Sequence, residues 1–242
     1  MSGVIDALRF TKRLAKAALG RDLLLRPTTR QPTEFHGTKY GGWSILRDSL
    51  TPASVVYSFG IGEDVSLISQ YGCRVHGFDP TPKSVAWVEG NIHDERFILQ
   101  PWAAGASDGT LRLFLPKRSD FVSASMTPGL HTSAESVEVP AFTITTIMQR
   151  LGHDFVDVLK MDIESAEYSV LDQMRIAGTF QHVGQLLVEF HHWFPEIGLA
   201  PTRRAVRQLR DAGFQIAWVS PAGYEVLFVA TTSRPANASS RG

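Results

Sequence analysis

From residue 54 onward, short apolar runs alternate with segments of helical periodicity, and this alternation restricts the fold more than any other feature of the chain. Runs at 54–59, 73–78, 96–100, 155–163 and 185–190 read as buried strands. Between and after them, 63–71, 82–90, 143–151, 166–176 and 201–212 read as helices, with Pro82 suited to a first helical turn. Strands joined by helices must pair in parallel through right-handed crossovers, so the expectation is a doubly wound α/β sheet. Runs 111–115 and 137–140 suggest a small antiparallel insertion, and 214–219 with 225–230, around Pro221 and Gly223, a closing hairpin. A chain of 242 residues, 43% hydrophobic and 20% charged, can bury such a core as one domain without staples. No linker or repeat divides its middle.

Open α/β sheets bind ligands beyond the carboxyl ends of their strands. There the sequence places Ser58, Gly60, Gly62, Glu63 and Asp64 after the first of these strands, Asp79 after the second, and Trp102 after the third. Asp162 and Glu164 follow the fourth, and Glu189, His191 and His192 close the fifth. Gly60 and Gly62 allow a tight turn and close approach of a ligand. Asp79, nineteen residues beyond Gly60, is placed to accept ribose hydroxyls, or else merely caps the next helix. Glu63 and Asp64 at the helix start would repel a pyrophosphate but favour an ammonium or sulfonium, which S-adenosylmethionine carries. Alternatively, these two acids only complement the helix dipole.

The segments VVYSFGIGEDVS, GCRVHGFDPTP, LGHDFVDVLKMDIESAEYSVL, QLLVEFHHWF and VSPAGYEVLFV resemble the FkbM-type methyltransferases, a Class I S-adenosylmethionine-dependent family, over about residues 40–229. The resemblance implies a seven-stranded sheet of order 3-2-1-4-5-7-6 with strand seven antiparallel. It also implies O-methylation, often of sugar hydroxyls, with Gly60 and Gly62 as the cofactor turn, Asp79 as the ribose acid, and Asp162 and Glu164 as signature acids. Two positions depart from the pattern: Ser58 stands where many Class I enzymes carry an acid, and Ser165 where the family has glycine. The expected cofactor set is Ser58, Gly60, Gly62, Glu63, Asp64, Asp79, Trp102 and Asp162, with Glu63 or Asp64 replacing the missing acid.

An acceptor hydroxyl must lose its proton, to a general base or through a metal. His191, His192, Asp162 and Glu189 are the catalytic candidates. Adjacent residues on a strand face opposite ways, so only one histidine can enter the pocket, and His191 is the expected base. No discrete metal-ligand spacing is evident, and a metal-free base is the expectation; Asp162, Glu189 and a histidine are the alternative metal set. Lys160, inside an apolar strand, needs a partner, and Asp162 is the nearest. His36, Lys39, Tyr40 and Trp43 around Gly41-Gly42 form either a lid or an ordinary loop with Trp43 in the core.

The first 30 residues hold seven basic side chains and two acids on a pattern of helical spacing, with Val4, Ile5, Leu8, Leu14, Ala15 and Leu19 as its apolar members. This basic amphipathic helix would pack on the domain or a second subunit, or touch a membrane surface. It is not patterned as a signal peptide. Residues 31–230 form the expected catalytic domain and 231–242 a solvated tail. Lys+Arg and Asp+Glu are 24 each, which gives no bulk charge for nucleic acid, and the lone Cys73 suits a reducing, cytoplasmic setting. The expected partner is a small hydroxylated acceptor. N-methylation of an amine or protein side chain, a non-catalytic S-adenosylmethionine-binding module and a dehydrogenase are the competing readings.

Overall fold

The computed structural model describes residues 11–38, 41–63, 65, 72–116 and 132–231. Twelve strands are present among the described residues. β1 (Thr33–His36) and β2 (Trp43–Leu46) form a hairpin that the sequence pattern did not announce. The main sheet comprises β3 (Val55–Phe59), β4 (Arg74–Phe78), β5 (Phe97–Gln100), β9 (Val156–Met161), β10 (Val183–Glu189), β11 (Phe214–Val219) and β12 (Glu225–Ala230). Its order is β11-β12-β10-β9-β3-β4-β5. Strands β5, β4, β3, β9 and β10 run parallel, and β12 is antiparallel to both neighbours, which is the 3-2-1-4-5-7-6 arrangement expected. The small insertion is a separate sheet of β6 (Ala103–Ala104), β7 (Gly109–Pro116) and β8 (Thr132–Phe142), in the order β6-β8-β7. Residues 117–131, most of the segment joining the two expected insertion strands, lie outside the described residues.

Among the described residues, apart from one short 3-10 turn, five helices frame the sheet: α1 (residues 11–18), α2 (Pro82–Asn91), α3 (Ile144–Leu151), α4 (Glu167–Ile176) and α5 (Leu199–Asp211). Local chemistry sets their ends. Pro82 opens α2, while the Thr143 hydroxyl caps α3 by accepting the Thr146 N–H, and left-handed Gly152 terminates it. In α5, Thr202, Ala205, Val206 and Leu209 make a buried stripe at i, i+3, i+4 and i+7.

The parallel strands are buried on both faces, hence their continuous apolar runs. One core gathers Phe59, Ile144, Leu159, Val170, Leu186 and Phe228; the other gathers Trp43, Ile45, Val56, Val75, Val158 and Leu227. Trp43 therefore belongs to the core, 3% exposed. Gly42 is walled in by the backbone at Thr38 and His36 and by the Phe35 ring, so the Gly41-Gly42 pair closes a packed turn. Lys39 and Tyr40 fall outside the described residues.

The N-terminal segment packs in an unexpected way. The buried side chain of α1 is Arg13, which donates to the carbonyls of Ser220 (3.4 Å) and Leu23 (3.3 Å), while Leu14 and Leu19 face outward. Its guanidinium lies over Gly223, where a Cβ would collide with it. Further on, Thr28 donates its N–H to Ile216 O and accepts the Ile216 N–H at its hydroxyl, which covers the edge of β11. No helix among the described residues is long and apolar enough to cross a membrane.

Within the core, Tyr57 Oη lies 2.7 Å from His153 Nδ1, and His76 stacks edge-on against both rings. Burial, then the neighbouring His153 and Arg74, pushes the His76 pKa down to about 4. A histidine held neutral in the fold contributes stability that is complete above its unfolded pKa of about 6.5 and is lost as pH falls toward 4. Urea unfolding should show the wild type losing about 2 kcal/mol more than His76→Phe between pH 7 and pH 4.5. Equal acid sensitivity of the two proteins would remove His76 from the acid response.

Candidate active site

The chain leaves β3 through a turn at Gly60 and Gly62, both left-handed, with φ of +76° and +58°. This turn sits where the strand order reverses, between β3 and β9. Gly60 is pressed against the backbone of β9: a Cβ there would overlap the carbonyl oxygen of Asp162. Asp162 donates its N–H to Phe59 O at 3.2 Å, and Lys160 Nζ donates to Gly60 O at 2.9 Å. Lys160 is 7% exposed, lies 3.5 Å from Asp162 Oδ2, and sits below the Trp43 ring. The expected Lys160–Asp162 partnership is thus present.

Asp79, at the end of β4, is buried and fully engaged. Its Oδ2 accepts the N–H groups of Ile61 and Gly62, each at 3.1 Å, and its Oδ1 accepts the Thr81 N–H and hydroxyl at 3.0 and 2.6 Å. The carboxylate fastens the glycine turn to the start of α2. The same bonds consume the backbone donors that a pyrophosphate would need, so the turn is no anion nest. Ser58 is buried one register step before the turn, between Lys160 and Gly77. Glu63 is exposed and pairs with Lys83 at 3.5 Å. Trp102 is half-buried against Phe78 and Phe142, with Arg150 over the latter ring at 4.0 Å. Asp64 lies outside the described residues.

The remaining candidates converge at the ends of β9 and β10. His191, 1% exposed, has Nδ1 3.2 Å from Glu167 Oε1, and its backbone N–H donates to the same oxygen at 3.0 Å. Its Nε2 faces Glu164 Oε2 at 3.4 Å and Asp162 Oδ1 at 3.9 Å. Glu189 stands directly opposite Glu225 in the β10–β12 register. One described cluster thus collects five carboxylates, Asp162, Glu164, Glu167, Glu189 and Glu225, around His191 and Lys160. Asp162, Glu164 and His191 each offer a ligand atom, all within 4.8 Å of one another, a set that could hold a metal ion.

Electrostatics bears on two of the catalytic candidates. Burial alone would lower the His191 pKa, but the hydrogen bond with Glu167 and the charges of Glu167, Glu164 and Asp162 outweigh it and raise the value to about 9. These acids favour the imidazolium over the neutral ring, which weighs against His191 as the expected base. Burial, then the charge of Asp162, pushes Glu189 up to about 9 against the lowering effect of His191, with Glu225 adding to the rise. The rise favours the protonated acid, which weighs against Glu189 as a base. His192 points the other way, its Nε2 3.5 Å from Asp22 Oδ1, and burial lowers its pKa. The two histidines do part to opposite sides, and His191 is the one in the cluster.

Glu167, Glu225 and Asp22 were not singled out in the sequence. Glu167 is the last letter of the K-M-D-I-E-x-A-E signature, so its signal was present; the pairing that brings Glu225 to Glu189 has no local signal.

Comparison with known proteins adds the following. The family model described as "Methyltransferase FkbM domain" matches residues 55–216. The human "Probable methyltransferase-like protein 24" is 31% identical over 144 residues, 57% of this chain and 33% of that protein, and the rat protein of the same name is 29% identical. The chain spans about a third of the length of these curated relatives. Among solved structures, the FkbM methyltransferase of Methylobacillus flagellatus KT matches at 16% identity and a TM-score of 0.46, covering 76% of this chain and 46% of that one. Aeropyrum pernix fibrillarin, solved with natively bound S-adenosyl-L-methionine, matches at 12% identity and a TM-score of 0.41, covering 84% of each chain.

The loop after β9 stores strain. Glu164 and Ser165 are non-glycine residues with φ of +46° and +80°. An L-residue pays about 1–2 kcal/mol in this region, partly offset because glycine loses more entropy on folding. Ser165→Gly should therefore raise the unfolding free energy by about 0.5–1 kcal/mol, and Ser165→Val should lower it, in chemical denaturation. A destabilised glycine variant would refute the strain.

Proposed function

The chain belongs to the FkbM methyltransferase family, and we propose that it transfers a methyl group from S-adenosylmethionine to a hydroxyl of a sugar or glycoconjugate. The observation that carries the cofactor reading is the occupied turn: the Ile61 and Gly62 amides are spent on Asp79, which disfavours a dinucleotide, while the cluster beside the turn is rich in carboxylates. That donor set fits a cationic cofactor. When bound, S-adenosylmethionine supplies an electrophilic methyl group on a sulfonium.

This chain's residues supply position and charge. Gly60 and Gly62 keep side chains out of the approach to the turn, Asp79 would meet the ribose by releasing one of its four donors, and Trp102 offers a half-buried aromatic face. Asp162, with its side chain 31% exposed, is the open carboxylate nearest the switch point and attracts a positive ligand. Methyl transfer is an in-line displacement, so holding donor and nucleophile in register supplies much of the acceleration.

The acceptor side is supported by Trp193. This indole is 38% exposed, 4.7 Å from the His191 ring and 4.3 Å from the Tyr224 ring, and it borders the carboxylate cluster. A flat apolar surface beside polar acceptors suits a sugar, which has an apolar ring face and a hydroxyl edge.

Two measurements test this reading. Isotope-labelled S-adenosylmethionine incubated with a panel of sugars and glycoconjugates should yield labelled ethers; label on amines alone would replace O-methylation by N-methylation. Trp193→Ala should raise the acceptor KM about tenfold, the loss of roughly 50 Å² of apolar contact, with unchanged affinity for S-adenosylhomocysteine. An unaltered KM would remove Trp193 from the acceptor site.

A further inference from the structure

We propose that Asp162, Glu164 and His191 form a divalent-cation site, suited to Mn²⁺, which binds and activates the acceptor hydroxyl. The inference rests on the methyltransferase reading above and adds the group that removes the need for a side-chain base.

The spacing of the three side chains carries the argument. His191 Nε2 stands 3.4 Å from Glu164 Oε2 and 3.9 Å from Asp162 Oδ1. A proton shared between an imidazolium and a carboxylate draws the heavy atoms to about 2.7–2.9 Å. A small divalent ion with bonds of about 2.1 Å instead holds neighbouring ligand atoms roughly 3–4 Å apart. The cluster has the wider spacing, with all three ligand atoms within 4.8 Å.

A second observation concerns the other nitrogen of the same ring. Glu167, with no exposed surface, faces His191 Nδ1 at 3.2 Å and also accepts the His191 N–H. This pairing puts the ring hydrogen on Nδ1 and turns the Nε2 lone pair toward Asp162 and Glu164, as metal-ligating histidines are held by an outer carboxylate. When the proton on Nε2 is displaced, this nitrogen joins the two carboxylates as a third acceptor, and a divalent cation between them satisfies all three.

Ligand chemistry and access narrow the choice. Two carboxylates and one imidazole favour a hard ion that tolerates nitrogen, which points to Mn²⁺ ahead of Mg²⁺. Lys160 lies against Asp162 Oδ2, so Oδ1 is the oxygen facing His191. The side chains of Asp162 and Glu164 are 31% and 23% exposed, so the site opens to solvent on one side and leaves coordination positions for water and an acceptor. An acceptor hydroxyl bound there has a lowered pKa and releases its proton to water. The resulting alkoxide oxygen forms a bond to the methyl carbon, the carbon–sulfur bond breaks, and its electron pair stays on sulfur as S-adenosylhomocysteine leaves.

The test begins with the full chain and Mn²⁺ alone, followed by electron paramagnetic resonance of the free ion and by quenching of tryptophan fluorescence. Wild type should bind one equivalent saturably. Asp162→Asn and Glu164→Gln should each weaken Mn²⁺ at least tenfold, while Glu196→Gln, an exposed acid elsewhere, should not. Thermal unfolding of both variants checks that the weakened binding is not misfolding. With an accepted hydroxyl substrate, a chelator should abolish turnover, leave S-adenosylhomocysteine binding intact, and be reversed by Mn²⁺. Absence of saturable Mn²⁺ binding, unchanged binding in both variants, or full turnover in chelator would overturn the proposal. Failure to methylate any hydroxyl would defeat the O-methylation reading instead, and the Mn²⁺ titration would still decide the site.

Discussion

The contact between Gly60 and the carbonyl of Asp162 holds the ends of β3 and β9 at the separation on which the rest of the rim is built. Any side chain at position 60 would force the two strand ends apart. Lys160 would then lose Gly60 O, and Asp162 would lose its bond to Phe59 O. Asp79 completes the same joint from the other side by holding the Ile61 and Gly62 amides. The turn is thus clamped by β4 and β9 together, and the acids beyond it inherit their positions from that clamp. A rim assembled from strand ends is rigid because the sheet is rigid; the loops need add only the outer wall.

What the clamp positions is a concentration of like charge that a fold would not retain for stability. Five carboxylates face one lysine and one histidine in a poorly hydrated setting. Close acids repel, and that repulsion shows in the raised pKa values of Glu189 and His191. The residues after β9 add further expense, with two successive non-glycine residues in the left-handed region. Strain and uncompensated charge gathered at one place mark where selection acted on chemistry over folding.

The sheet was legible because its signal is local. Strands buried on both faces must be continuously apolar, and the helices between them must repeat at 3.6, so β3, β4, β9 and β10 could be placed within a residue or two at most of their ends. The β1–β2 hairpin escaped notice because its strands are only four residues long and the whole of 37–42 separates them, so Gly41-Gly42 does not stand alone between two runs as a two-residue turn would. At the site, Gly60, Asp79, Asp162 and His191 could be named from their places after strands. Their states could not. Whether His191 is a base or a cation depends on Glu167, Glu164 and Asp162 at once, and protonation follows burial and neighbours, which only three-dimensional packing sets. Arg13 shows the same limit: helical spacing assigned it to the wet face of α1, yet it fits over Gly223, a residue 210 positions away.

That long reach between Arg13 and Gly223, together with the Thr28–Ile216 pairing, governs the order in which a growing chain can finish this domain. The first helix leaves the ribosome early but has nothing to lie on until the last hairpin follows it. β12 must also slot between β10 and β11, so the sheet stays open along β10 until β12 has been made. Non-local closure of this kind is slow and leaves an apolar edge waiting. Glu225 and the Asp22–His192 contact arrive only with that final step, so the cluster at the rim takes its finished form as the last part of the domain to assemble.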